Sequence, residues 1–364
     1  MNSILVTNSG INRYSGGGVV GWNLYQTLKK YTNLVAVLGM NADEEVKPFE
    51  SINPANYKQQ FSPFLIDYFA LMRLMQLKAM TEIDLALFYA APFGMTARWL
   101  KQNPDIKIIV DLAPHDIEES KKEHEKFFGA YPFPHLTDET LWMLYTEHLR
   151  LANVVITHSH ISADYIKRKA KLDVEPIVIP HGCYLPEKIE YPEKFTVGAM
   201  NVAGIDKGLI YALTAWKKLQ PKISWFYVAG AGTEQWIPPI ERMKIPNVKV
   251  FGWVKDVSEF YNKISVLVAP SITEGFGICV LEAMAHGKPV IVSKGAGVSE
   301  FVEDGKEGFV VPVRDVDAIA NKIAYFRGNP DEIRKMGQNA RKKAEKYTWD
   351  KIIEEYGKVI KNVE

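Results

Sequence analysis

Short, nearly continuous apolar runs recur along the chain, separated by glycine-rich turns and by stretches with helical periodicity. Runs that lack polar–apolar alternation are typical of parallel strands buried on both faces of a sheet. The first half carries such runs at 3–7, 34–39, 84–90, 107–113 and 154–157, and the second half carries them at 195–200, 225–230, 248–254, 264–271, 289–293 and 308–312. Because helical segments alternate with these runs, the pattern predicts two doubly wound α/β units.

A proline-rich stretch marks the boundary between the two units. Its prolines are Pro176, Pro180, Pro186 and Pro192, and proline punctuates regular structure. The full length of 364 residues exceeds the usual size of a single core, which also favours two domains. We place the first domain at 1–185 and the second at 186–346, and we expect residues 347–364 to form a closing amphipathic helix.

The segment 61–80 predicts a helix that is nearly all apolar. Its only basic residues are Arg73 and Lys78. One interpretation is a helix that faces the core of the first domain, and we favour it because a membrane-surface helix usually carries more basic residues. The other is a surface helix that contacts a membrane or a lipid-linked acceptor.

Composition narrows the class of protein. Hydrophobic residues make up 47% of the chain and charged residues 24%, as in ordinary soluble domains. A net charge of +1 gives no electrostatic reason to expect nucleic acid as a partner. Two cysteines argue against a disulfide framework. No signal peptide is visible and no apolar run reaches the ~18 residues of a membrane span, so we expect a cytoplasmic protein.

The most informative segment is 274–292, EGFGICVLEAMAHGKPVIV. Gly275 and Gly277 permit a tight turn after a strand, and a helix is predicted to begin near Ile278. The amide groups and the positive dipole end of that helix suit an anion such as phosphate. Glu274 and Glu282 lie eight residues apart and could accept hydrogen bonds from sugar hydroxyls. Two carboxylates around phosphate-binding amides predict a nucleotide-sugar pocket, whereas the alternative is an ordinary βα unit with exposed glutamates.

This Glu-x7-Glu segment, together with the triple glycine after the first strand and the sequence IPHG near the linker, resembles the retaining glycosyltransferases of family 4. The resemblance covers nearly the whole chain. It implies the GT-B fold, in which two doubly wound Rossmann-like domains face a central cleft and the last helix packs back on the first domain. It also implies transfer of a sugar, with retention at the anomeric carbon, from a UDP-, GDP- or ADP-sugar to a glycan, lipid-linked or small-molecule acceptor. The protein would then work in the cytoplasm or at the inner face of the membrane.

The resemblance assigns roles to individual residues of this sequence. Lys207 resembles the lysine that faces the donor diphosphate, but the family arginine five residues earlier is replaced by Val202, and Arg13 is one candidate to substitute for it. Glu274 resembles the residue near the donor sugar hydroxyls, and Glu282 resembles the ribose-binding glutamate. The remaining residues implied to contact the donor are His115, Gly16, Gly17, Gly18, Gly252, Trp253, Val254, Gly275, Phe276, Gly277, Ile278, Cys279 and Val280.

Three residues could be mistaken for other chemistry. Cys279 could look like a nucleophile, but its apolar neighbours favour a small buried residue. Asp315 and Asp317 match a metal-binding D-x-D, although their position before a helix favours capping. We therefore expect no metal and no cofactor. In the resembling family the leaving phosphate takes the acceptor proton, so no general base is assigned. The alternatives are a non-catalytic nucleotide-sugar or carbohydrate-binding protein on the same scaffold, or an epimerase or phosphorylase.

Overall fold

The computed structural model describes residues 1–7, 11–13, 16–39, 41–51, 63–90, 93–114, 116–128, 138–172, 175–200, 204–220 and 224–363. Two of the residues discussed above, His115 and Val202, lie outside these ranges. The described residues divide into two compact units. Unit 1 comprises Met1–Pro114, Phe133–Pro180 and Asp350–Glu364, and unit 2 comprises His115–Pro132 and His181–Trp349.

The first part of the chain forms a parallel sheet with flanking helices. Its strands are β1 (Asn2–Thr7), β2 (Asn33–Gly39), β3 (Phe49–Ser51), β4 (Leu85–Tyr89), β5 (Lys107–Asp111), β6 (Val154–Thr157) and β7 (Ile177–Val178). Its helices are α1 (Gly16–Tyr31), α2 (Pro63–Met80), α3 (Gly94–Lys101), α4 (Ile117–Phe128), α5 (Asp138–Leu151) and α6 (His160–Ala170). Among the described residues the strand order is β3-β2-β1-β4-β5-β6-β7, and every pairing is parallel.

The second part repeats this plan. Its strands are β8 (Thr196–Met200), β9 (Trp225–Ala229), β10 (Val248–Gly252), β11 (Val266–Ala269), β12 (Val290–Ser293) and β13 (Gly308–Val311). Its helices are α7 (Leu209–Lys218), α8 (Ile237–Arg242), α9 (Val257–Tyr261), α10 (Ile278–Ala285), α11 (Val316–Gly328) and α12 (Pro330–Ala344), and α13 (Trp349–Val363) closes the chain. The strand order is β10-β9-β8-β11-β12-β13, again with parallel pairing throughout.

Strand order fixes where each sheet can bind a ligand. In both sheets the chain first adds strands on one side and then returns to build the other side. The reversal falls between β1 and β4 in unit 1 and between β8 and β11 in unit 2. The carboxyl ends of the strands at such a switch point are the usual ligand site of doubly wound sheets, because the connecting loops diverge there. The predicted doubly wound architecture is confirmed in both units.

Helix α2 buries one face and exposes another. Ala70, Leu74 and Leu77 are buried at helical spacing in the core of unit 1, as the favoured interpretation expected. Met72 and Met75 are exposed on the same helix. The core-facing prediction therefore describes one face of α2, and an apolar surface remains on another.

Two segments belong to a different unit from the residues that precede them in the sequence. Residues 350–364 belong to unit 1, where the Tyr356 hydroxyl donates a hydrogen bond to Asp111 at the end of β5. Helix α4 follows β5 in the sequence but belongs to unit 2. Its contacts bring it beside the candidate site described next.

Candidate functional site

Lys207 and Glu274 follow the two strands that flank the switch point of the second sheet. Lys207 ends a 3₁₀ turn, Ile205–Lys207, that comes soon after β8, and Glu274 lies in the loop between β11 and α10. Because β8 and β11 are adjacent and parallel, their carboxyl ends place these two loops side by side. The fold thus brings together two predicted residues that are 67 positions apart.

Lys207 is paired with two carboxylates. Its Nζ donates a short hydrogen bond to Glu274 and lies 3.4 Å from Asp206 Oδ2, and the Lys207 and Glu274 side chains are each 18% exposed. Burial alone would lower the pKa of Lys207, but the charges of Glu274 and Asp206 outweigh it and raise the pKa above its usual value. The lysine is therefore a protonated, partly dehydrated cation at neutral pH, which suits it to an anionic ligand.

Backbone contacts hold the Lys207 turn against the Glu274 loop. Gly208 adopts φ +69°, and a Cβ at this position would overlap the carbonyl oxygen of Pro270. Glycine alone allows this left-handed conformation and this close approach without strain. The amide of Ile272 donates to the Asp206 carbonyl at 2.7 Å and ties the same two loops together.

Helix α10 begins where the sequence predicts it. Gly277 is its N-cap with φ +101°, and no side chain caps the helix. Phe276 is buried and packs edge-on against His181, with ring centroids 5.0 Å apart. Uncapped amides and the helix dipole make this end a favourable position for an anion. It directly follows the loop that carries Glu274.

The Cys279 thiol lies in the core below the first turn of α10. Both Cys183 and Cys279 are buried free thiols, and burial raises the pKa of Cys279 above its usual value. A protonated buried thiol is a poor nucleophile. The prediction of a structural cysteine is confirmed.

Glu282 lies one turn into α10 and is mostly buried. Its Oε2 accepts a hydrogen bond of 2.8 Å from the hydroxyl of Tyr261, the last residue of α9. Burial raises the pKa of Glu282 to about 7, although the hydrogen bond from Tyr261 acts to lower it. This carboxyl group therefore changes its charge near neutral pH.

Three of the predicted donor contacts, Gly252, Trp253 and Val254, lie at the end of strand β10 and directly after it. Gly252 has φ +70°, and its missing Cβ leaves room for the Glu234 carboxylate. Trp253 is 51% exposed, whereas Val254 packs against the core. The exposed indole can stack on a flat ring, and the Glu234 carboxylate beside Gly252 can accept hydrogen bonds.

In unit 1 the triple glycine forms the first turn of α1 rather than a loop. The helix begins at Gly16 and is the first helix after the switch-point strand β1. Gly18 is buried, its carbonyl accepts a hydrogen bond of 3.1 Å from the Asn12 amide, and a Cβ there would overlap the Asn12 side chain. Arg13, the candidate substitute for the missing arginine, pairs with Glu45 and lies 4.2 Å from the centre of the Trp22 ring.

Helix α4 borders the site, a position that no sequence motif predicts. The amide of Asp116 donates to Thr273 Oγ1 at 2.7 Å, immediately before Glu274. The Arg314 guanidinium bonds Glu123 Oε1 at 2.6 Å and Glu119 Oε2 at 2.7 Å, and so fastens α4 to unit 2. The i, i+4 spacing of these glutamates places them on one helix face, a local signal that does not name their partner.

The D-x-D motif caps a helix. Asp315 Oδ1 accepts a hydrogen bond of 2.8 Å from the Ala318 amide at the start of α11, and Asp317 pairs with exposed Lys218. The capping interpretation is confirmed. Across the described part of the chain, no cluster of three or more His, Cys, Asp or Glu side chains is arranged to hold a metal ion.

Comparisons with known sequences address the second half of the chain. Residues 192–328 match the family model described as Glycosyl transferases group 1. The chain is similar to the putative glycosyltransferase EpsD of Bacillus subtilis, with 36% identity over 109 residues that cover 30% of this chain and 29% of that relative. The chain spans less than half the length of the curated relatives it matches.

Solved structures share the fold over the full length. Sucrose-phosphate synthase from Thermosynechococcus elongatus is similar with a TM-score of 0.81 at 19% identity, covering 100% of this chain and 99% of that chain. Anabaena Alr3699/HepE, solved in complex with UDP-glucose, is similar with a TM-score of 0.74 at 18% identity, covering 100% of both chains. At such identities the likeness concerns the fold.

Within the described residues, no helix has the length and apolarity needed to cross a bilayer. The family model and the structural likeness support the resemblance at the level of group 1 glycosyltransferases and the GT-B fold. Residues 192–328 match the Glycosyl transferases group 1 family model, in a chain of two parallel α/β units with the GT-B fold.

Proposed function

We propose that this protein is a glycosyltransferase that moves a sugar from a nucleoside-diphosphate sugar to an acceptor hydroxyl, with retention at the anomeric carbon as in family 4. The observation that carries the proposal is the arrangement at the second switch point. A protonated lysine, the uncapped start of α10 and two carboxylates lie together there. These groups match a diphosphate flanked by two sets of hydroxyls.

Each group has a distinct role in this proposal. Lys207 and the α10 amides stabilise the negative charge that grows on the diphosphate as it leaves, the usual source of large rate effects in group transfer. Glu274 accepts hydrogen bonds from the donor sugar and Glu282 from the ribose. Lys207 and Glu274 pair with each other in the structure, so donor binding exchanges part of this pair for contacts to the ligand.

Further donor contacts are proposed for residues in other parts of the chain. Gly252, Trp253 and Val254 border the nucleobase, with the exposed indole of Trp253 as the stacking surface. His115 and the glycines Gly16, Gly17 and Gly18 remain predicted donor contacts. The complex of Alr3699/HepE with UDP-glucose supports a uridine nucleotide as the first donor to test.

The acceptor is proposed at the level of its class, a glycan or a lipid-linked sugar. The exposed side chains Tyr68, Met72, Met75 and Met80 of α2 fit a peripheral contact of residues 61–80 with a membrane or a lipid tail. Both cysteines are free thiols, which fits the reducing cytoplasm as the proposed compartment.

The test begins with thermal-shift measurements against UDP, GDP, ADP and their glucose and mannose derivatives. We expect nucleotides of one base to raise the melting temperature more than those of the other bases, because specific binding stabilises the folded state. Release of nucleoside diphosphate from the best donor is then followed in wild type and in Lys207→Ala, and the anomer of the product is assigned by NMR. Failure of all donors to bind or to turn over would contradict the proposed function, and an inverted product would contradict retention.

A further inference from the structure

The hydroxyl of Tyr261 reaches two acceptors on helix α10. It lies 2.8 Å from Glu282 Oε2 and 3.1 Å from the carbonyl oxygen of Cys279. Tyr261 is fully buried. Burial and the charge of Glu282 raise the pKa of Tyr261 well above its usual value, so the hydroxyl keeps its proton at any pH near neutrality.

The single hydroxyl hydrogen of Tyr261 can satisfy both charge states of Glu282. When Glu282 is ionised, the hydroxyl donates to its Oε2. When Glu282 is protonated, its carboxyl group can donate to the Tyr261 oxygen, and the hydroxyl hydrogen turns to the Cys279 carbonyl, which only accepts. The carboxyl group is therefore held at one place in either state.

His286 forms a hydrogen bond with the backbone of Glu282 and packs on the ring of Tyr261. Its Nδ1 lies 2.7 Å from the Glu282 carbonyl and its Nε2 lies 2.9 Å from Ser258 Oγ. Because a carbonyl only accepts, Nδ1 carries a hydrogen. Burial lowers the pKa of His286 to about 4, so Nε2 is an acceptor from the Ser258 hydroxyl at neutral pH. The imidazole also packs on the Tyr261 ring, with centroids 4.8 Å apart.

We infer that Tyr261 is a positioning residue for nucleotide binding: its hydroxyl holds Glu282 in place as the hydrogen-bond acceptor for the ribose. This inference rests on the proposed function, and it adds a residue of α9 to a site otherwise built from switch-point loops and α10. The shared contacts of Tyr261, His286 and Ser258 join α9 to α10 at the position of Glu282.

Neutral groups surround the Glu282 carboxyl. The titratable side chains that face it are Tyr261 from α9, Cys279 and His286 from α10 and its end, and Cys183 from the segment before β8. Burial keeps both thiols protonated and the imidazole uncharged at pH 7. The pKa of Glu282 is therefore set by desolvation, which raises it, and by the hydrogen bond from Tyr261, which lowers it.

The direct test titrates Glu282 by carbon-13 NMR in protein with labelled glutamate side chains, assigned with Glu282→Gln. Wild type is expected to titrate near 7. In Tyr261→Phe the midpoint should move upward by about 0.5–1 pH unit, because a hydrogen bond that favours the carboxylate is lost. The control is Tyr191→Phe, which removes a tyrosine hydroxyl that donates to the Gly287 carbonyl at 2.6 Å and should leave the midpoint unchanged. An unchanged midpoint in Tyr261→Phe overturns the inference.

The second arm measures UDP binding by calorimetry between pH 6 and pH 8.5. Wild type should lose up to about tenfold in affinity as Glu282 protonates, since a carboxylate is a stronger acceptor than a carboxyl group. Tyr261→Phe should show the same loss at a higher pH. Binding with identical pH dependence in both proteins overturns the positioning role while the proposed function stands. Absence of UDP binding at every pH, with the NMR midpoint displaced, instead overturns the function for this nucleotide and leaves the Tyr261–Glu282 contact established.

Discussion

Two ionisable side chains of the candidate site, Lys207 and Glu282, respond to burial in opposite ways. Lys207 keeps its charge because Glu274 and Asp206 compensate for the lost water. Glu282 contacts a neutral hydroxyl instead, and burial raises its pKa to about 7. The difference between a charged partner and a neutral one thus makes Lys207 a fixed cation and Glu282 a titratable acceptor. In the proposed function the first faces the diphosphate and the second faces the ribose.

At this scale, Lys207→Ala should damage turnover more than it damages nucleotide binding. The proposed work of the lysine is on charge that develops in the transition state, and loss of one such donor typically lowers kcat about 10²–10³-fold. Steady-state kinetics with calorimetry for the nucleoside diphosphate measure the two effects separately. Lys218→Ala, which removes an exposed ion pair with Asp317, is the control. A Lys207→Ala enzyme with wild-type kcat would show that another cation carries the leaving group.

Glu282→Gln should stabilise the protein more at pH 8 than at pH 5. The folded pKa of Glu282, about 7, lies above its ordinary value of 4.5. Its protonated form therefore stabilises the fold below the unfolded pKa, and this contribution is lost as the pH rises through 7. Glutamine stays neutral and avoids that loss, which amounts to roughly 1–3 kcal/mol. Urea unfolding of both proteins at the two pH values gives the difference. An equal effect at pH 5 and pH 8 would contradict the raised pKa.

At the scale of elements, the site depends on how short segments are fastened together. The Lys207 turn approaches the Glu274 loop through Gly208, and α4 is fastened to unit 2 through Arg314. Neither contact is part of the backbone hydrogen bonding of a helix or a sheet. Each is a tertiary contact that holds one segment beside another.

Gly208→Ala should cost about 2–4 kcal/mol of stability and most of the activity. A Cβ at φ +69° is strained, and at this position it would also overlap the Pro270 carbonyl oxygen, so the Lys207 turn must shift. Gly328→Ala is the matched control, because a Cβ there meets nothing within 4 Å. Thermal unfolding and donor turnover are measured for both. Wild-type activity in Gly208→Ala would mean that the close approach of the two loops is dispensable.

Arg314→Ala should weaken the attachment of α4 and lower the free energy of unfolding by about 1–3 kcal/mol. The reason is that buried Glu123 loses its cationic partner. Arg314 has φ +66°, and alanine is no better suited to that conformation, so the change reports the side chain. Hydrogen exchange should show faster amide exchange in α4, with chemical denaturation giving the free energy. Lys218→Ala, which removes the exposed pair with Asp317, is again the control and should lower the free energy of unfolding by less than about 1 kcal/mol. Unchanged protection of α4 would refute the fastening role of Arg314.

At the scale of the whole molecule, two sheets of the same topology offer two switch points. The second carries the lysine, the carboxylates and the helix start, and the first carries the glycine-rich start of α1. Under the proposed function, Lys207 and the helix amides supply positive charge for the leaving diphosphate from the protein itself.

Full activity is therefore expected in the presence of EDTA. The measurement is donor turnover by the purified protein after dialysis against chelator, with and without added magnesium or manganese. The control is a metal-dependent glycosyltransferase treated in the same way. Loss of activity in chelator that is restored by either metal would contradict this prediction and require a metal-binding group at the diphosphate.

Local pattern determined much of this protein. Apolar runs without alternation indicate parallel strands, and Gly275, Gly277 and the following apolar residues indicate a helix that begins near Ile278, because backbone conformation and burial act over a few residues. The Asp315 cap is equally local. These features place Glu274 and Glu282 on a loop and a helix before any tertiary structure is known.

Only the tertiary structure decided which distant residues meet. The partners of Arg314 lie 191 and 195 positions away, and α4 joins unit 2 although it follows a strand of unit 1. The Lys207–Glu274 pair and the Tyr261–Glu282 hydrogen bond likewise span 67 and 21 positions. Such contacts arise where the folded chain brings separate loops and helices together, and their energy depends on burial, which local sequence spacing does not encode.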